Sequence, residues 1–116
     1  MSKISAFFAG ALLAASVSTA GAASAPIVGN WRTASGETAA IVACGKGVYC
    51  VTLVTGQHKG QRIGVMSGSG ANYAGKVTDP NNGKTYEGTA AVNGNALKLT
   101  GCALKIFCKS QRWSRK

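Results

Sequence analysis

Carboxylates are nearly missing from this 116-residue chain. Glu37, Asp79 and Glu87 are the only three, against 13 lysines and arginines, for a net charge of +10. General acid–base catalysis needs partnered titratable groups, and no two of the three stand at a spacing that makes such a pair. Histidine is scarcer still. His58 is the sole one, in the polar loop Gly56-Gln57-His58-Lys59-Gly60, with no carboxylate or nucleophile close by in sequence. The phosphate-cradling pattern Gly-x-x-x-x-Gly-Lys-Ser/Thr does not occur. Asp79-x-Asn81-Asn82-Gly83 lacks the carboxylates and the terminal Glu of a calcium loop, so it reads as a hairpin turn. The expectation is a non-enzymatic chain without metal or cofactor.

Helical patterning is missing as well. Beyond the first residues no stretch of helix length carries an apolar period of 3.6, and the one long apolar run, from Ile4 to about Val17, is shorter than the ~20 residues a membrane span needs. That run follows Lys3 and leads into small residues through Ala25, the order of a secretory signal peptide. Ala20-Gly21-Ala22 offers the cleavage site, which divides the chain into a signal peptide, 1–22, and a single small domain, 23–116. With no cysteine beside the cut, a lipid-anchored start is excluded. The mature part carries 12 basic and three acidic side chains, a net charge of +9. Such a balance favours anionic surfaces: phospholipid or glycolipid head groups, or acidic polysaccharide.

What the chain does have is short alternating runs punctuated by Gly, Asn, Asp and Lys. They are Gly29–Thr33, Thr38–Cys44, Val48–Thr55, Gln61–Met66, Asn72–Thr78, Thr85–Val92, Ala96–Gly101 and Phe107–Trp113. Tyr73, Gly75 and Val77 share one face, and Leu97 and Leu99 point away from Lys98 and Thr100. Turns are expected at Gly45-Lys46-Gly47, at 79–84 and at Asn93-Gly94-Asn95. Ser67-Gly68-Ser69-Gly70 reads as a flexible loop. Short connections imply sequential antiparallel pairing. The fold class is therefore all-β: a meander of about eight short strands forming a small barrel or a strongly curled sheet, since closure removes exposed edges.

Four cysteines form two matched pairs, Cys44/Cys50 and Cys102/Cys108, each with five residues between. After an export signal they point to an oxidising compartment, periplasmic or secreted, and to disulfides. Each pair lies on neighbouring strands, so local pairing is the expected choice among three connectivities. A four-cysteine zinc site is the rival. It wants ligands two to four residues apart and suits a reducing compartment.

The run Tyr73-Ala-Gly-Lys-Val, then Asp79-Pro80, Gly83-Lys84-Thr85-Tyr86, Leu97-Lys-Leu, Gly101-Cys102 and Cys108-Lys-Ser-Gln-Arg-Trp113-Ser-Arg115, resembles the small secreted bacterial proteins grouped as domain of unknown function 2147. Gly29-x-Trp31 and the Cys44/Cys50 hairpin fit too. Thr55–Gly70 departs from the family's longer acidic segment, and Val51 stands where a glycine often follows the second cysteine. The resemblance implies an exported, lipocalin-like barrel. By that likeness Arg115 is expected to stack on Trp31 and seal one barrel end, worth about 0.5–2 kcal/mol. Tyr73, Tyr86 and Trp113 are candidates to line a cup for a small apolar ligand, or simply to fill it. Lys105, Lys109, Arg112 and Lys116 are candidates to hold an anionic envelope molecule. The alternative is a structural or protein-partner role in the envelope. Nucleic acid is the least favoured partner, because aromatics do not interleave with the basic cluster.

Overall fold

A computed structural model describes residues 25–103 and 107–116. The expected signal segment, 1–22, and Lys105 lie outside the described residues. Every regular element described is a strand: β1 Gly29–Arg32, β2 Thr38–Gly45, β3 Val48–Leu53, β4 Arg62–Ser69, β5 Asn72–Thr78, β6 Thr85–Asn93, β7 Ala96–Ala103 and β8 Phe107–Arg115. Each pairs antiparallel with the next, and β1 meets β8, so the meander closes into an eight-stranded barrel. Among the described residues no helix is long and apolar enough to cross a membrane.

Alternation sets the inside. Along β6, Gly88, Ala90 and Val92 are buried while Glu87, Thr89, Ala91 and Asn93 are exposed, the period-2 signature of a sheet with one wet face. Trp31, Ile41, Val51, Met66, Tyr73, Leu97 and Trp113 fill the interior together with Ile27 from the segment preceding β1. Full burial of such side chains is worth about 1.5–3 kcal/mol each. Trp31 donates its indole N–H to Ile27 O at 2.9 Å, so the ring enters the core with its polar atom satisfied.

Two register features shape the barrel. Gly75, Gly88 and Gly101 stand directly opposite one another on β5, β6 and β7. A Cβ on Gly75 would lie 2.0 Å from Val65 O, so only glycine lets β4 and β5 approach at that curl. The second feature is a thin seam. β1 and β8 pair at two positions alone, Trp31↔Arg115 and Arg32↔Ser114, whereas β8 pairs with β7 from Phe107 to Ser114.

The strand bounds follow the sequence closely, with one correction. Ser67, Gly68 and Ser69 are not a flexible loop but the end of β4, paired with Ala74, Tyr73 and Asn72. The glycine there reflects proximity. A Cβ on Gly68 would sit 2.4 Å from Asn72 O.

Both disulfides join the local pairs, Cys44–Cys50 and Cys102–Cys108. The zinc alternative falls with them. They differ at one end: Cys44 and Cys108 are both exposed, but Cys50 is 4% exposed while Cys102 is half-buried at the far end of the β7–β8 hairpin.

Candidate functional site

The barrel interior is full. The void enclosed by Ile41, Val51, Met66, Leu97, Trp113 and their neighbours measures about 10 Å³, about one water's worth of space, and its lining is apolar. Trp113 is buried among these side chains, its indole N–H given to Gln111 Oε1 at 2.9 Å. Tyr73 is buried as well, edge-on to Tyr49 with ring centroids 5.5 Å apart, and its hydroxyl donates to Gly70 O at 2.7 Å. Burial raises the pKa of that hydroxyl, the neighbouring Tyr49 acts in the same direction, and a backbone hydrogen bond with Ile27 opposes them. Tyr86 does not join the other two. It is half-buried and lines an open depression of about 420 Å³ with Lys76, Lys84 and Glu87. The three aromatics expected at one cup are thus divided, two filling the core and one at an open rim.

One barrel end is held by a guanidinium. Arg115 Cζ lies 4.2 Å from the centroid of the Trp31 ring. Its Nη1 donates to Val28 O at 3.1 Å, and its Nη2 donates to Pro26 O at 2.8 Å and to Gly94 O at 3.2 Å. The planar fork stacks on the ring and reaches three backbone carbonyls at once, a geometry lysine's single ammonium does not reproduce. The seam has few pairs, and this residue ties it.

The basic residues expected to act together are separated by the pleat. Lys109 lies two residues from Gln111 and four from Trp113, on the inward-looking face of β8, while Arg112 looks outward. Arg112 is opposite Lys98 of β7, a partner that proximity in sequence does not reveal. Both are exposed. Arg32, exposed, pairs with Ser114 two residues along the same outer face. Lys116 donates from Nζ to Thr38 Oγ1 at 3.2 Å, and Thr38 is the register partner of Arg32. The carboxylates are engaged elsewhere. Glu37 accepts from Thr55 Oγ1 at 2.8 Å, Asp79 accepts the Asn81 N–H at 2.9 Å, and Glu87 pairs with Lys76 in the one ion pair among the described residues. No group of three or more metal-ligating side chains occurs among the described residues.

A strand-edge feature completes the face. All six residues from Phe107 to Arg112 are exposed, although β8 belongs to a closed barrel. β1 turns away after Arg32, where the Thr33 N–H donates to Glu37 O at 2.8 Å, so no described strand pairs beside β8 below Ser114.

Comparison with curated proteins and with solved structures finds no match. Residues 59–115 match the model of a family described as an uncharacterized protein conserved in bacteria (DUF2147), a stretch that includes β4 to β8 and leaves Gly29-x-Trp31 and the Cys44/Cys50 hairpin outside it. The matched residues, 59–115, supply five of the eight strands and the whole Lys98/Arg112 face, and over them the chain is similar to that family.

Proposed function

We propose that this chain is an exported, non-enzymatic protein of the bacterial cell envelope that holds a multivalent anion, a phospholipid or glycolipid head group or an acidic polysaccharide, on its outer β7–β8 face. The observation that carries this reading is the Lys98↔Arg112 pair. Like charges directly opposite each other across an antiparallel pair destabilise a sheet, by about 0.2–1 kcal/mol. An anion bound between them would offset that cost. Arg32 and Lys116 extend the same charge toward the seam. The filled interior argues against the apolar-ligand version of the function. Two disulfides suit an oxidising location.

The test is binding to vesicles of anionic and of neutral lipid across a salt series. Anionic vesicles should be bound, with affinity falling as salt rises. Lys98→Glu should weaken binding at least tenfold without lowering the melting temperature, because it replaces a repulsive pair with an attractive one. Lys59→Glu, the same charge change on an exposed loop, should weaken it far less. Binding that ignores salt, or that falls equally in both variants, would overturn the assignment to this face.

A further inference from the structure

Below Ser114 the outer edge of β8 has no strand beside it among the described residues, whatever the anion-binding face does. In an antiparallel ladder, alternate residues of a strand direct both backbone polar groups to one neighbour and the rest direct theirs to the other. The direction on β8 is fixed at both ends. The Arg115 N–H donates to Asn95 O, toward β7, and the Lys116 N–H donates to Asn30 O, toward β1. Cys102 and Cys108 are register partners with Cα atoms 4.0 Å apart, the close spacing of a pair that exchanges no backbone bonds. Odd-numbered residues therefore bond to β7. Cys108, Ser110 and Arg112 turn their N–H and C=O groups to the opposite edge, where no described strand lies.

We infer that this edge is a strand-addition site for an extended, acidic segment of a partner protein, which would continue the line of β1 beyond Arg32. Backbone groups supply affinity in this mode and side chains on alternate positions supply selectivity. Here the edge is basic on both faces: Lys109 on one, Arg112 with Lys98 beside it on the other. Charged side chains also guard edges against unwanted pairing. Charges of one sign repel a second copy of this +10 chain and admit a strand of opposite sign.

The experiment uses the full chain and an eight-residue peptide alternating glutamate and valine, with amide hydrogen exchange as the readout. Binding should slow exchange at Ser110 and Arg112 at least tenfold and leave Lys109 and Gln111, already bonded to β7, unchanged. Two further peptides carry N-methyl groups on one or the other alternate set of residues. Methylation of the pairing set should abolish capture, and methylation of the other set should leave it. Ser110→Pro removes one edge donor and no backbone bond to β7, losing only the exposed hydroxyl pair with Thr100 at 2.8 Å, so it should abolish capture with a melting temperature within a few degrees of the parent. If that variant fails to fold, the methylated peptides decide the matter. The inference is overturned if both methylated peptides bind as the parent does, which is adsorption by charge. It is overturned equally if the peptide binds without protecting Ser110 and Arg112, or if the free protein sediments as a dimer with those amides already protected.

Discussion

Arg115→Ala should do more damage than any other single substitution of a half-exposed side chain in this barrel. The variant loses a stack on Trp31 at 4.2 Å and hydrogen bonds to the carbonyls of Pro26, Val28 and Gly94. A cation–π contact at a partly exposed site is worth about 1 kcal/mol. Hydrogen bonds from a charged donor are worth about 1.5 kcal/mol or more when buried. Two of these three are exposed, so the set is worth about 2 kcal/mol. The sum, about 3 kcal/mol, corresponds to a fall of roughly 12–24 °C in Tm for a domain of this size. Arg115→Lys keeps the charge but not the fork and should fall between the two. The assay is reversible thermal unfolding followed by near-ultraviolet circular dichroism, with amide exchange at Arg32 and Lys116 to report on the seam. A melting temperature for Arg115→Ala within about 4 °C of the parent would refute the reasoning. Arg115→Lys as stable as the parent would show that charge, not planar geometry, holds this end.

Three further outcomes follow from the packing. Gly75→Ala should cost about 3 kcal/mol or more and yield little soluble protein, because the added methyl meets Val65 O at 2.0 Å. Under graded dithiothreitol with alkylation and peptide mapping, Cys102–Cys108 should open first: each bridge has one exposed cysteine, Cys44 or Cys108, but Cys102 is half-buried where Cys50 is 4% exposed. Each bridge then contributes about 2–3 kcal/mol on the chain-entropy account. Burial holds the Tyr73 proton more tightly in the folded state than in the unfolded one. Its contribution is therefore whole below the unfolded pKa of about 10 and is lost as pH rises through the higher folded value. Melting temperature should drop more steeply above pH 10 in the parent than in Tyr73→Phe.

Strands and turns were legible because their signals are local. Leu97 and Leu99 alternate with Lys98 and Thr100, and Asn93-Gly94-Asn95 marks the turn before them. The disulfides followed from neighbouring strands. Register is a different matter, since it couples residues far apart and leaves no mark in either segment alone. Nothing near Arg112 announces Lys98, and Lys109 stands three residues away yet on the opposite face. Glycine misleads for a related reason. Gly68 in a Ser-Gly-Ser run reads as loop composition, whereas here it answers to Asn72 and Tyr73 on the next strand. The filled core was open from sequence, because side-chain identities do not state whether their summed volumes match the space they enclose.

The two-position seam also bears on the order in which the barrel is made. Every other strand pair joins chain neighbours and can form as soon as both strands exist. The closing pair, β1 with β8, instead joins strands about 80 residues apart in the chain, and contacts of such separation carry the larger closure entropy. Pairing at two positions returns little toward that cost until Arg115 lays its guanidinium over Trp31 and takes three carbonyls. The expected order is therefore a curled, open sheet first and closure last. On that order the core between Trp31 and Trp113 is sealed from water only when Arg115 comes round to Trp31.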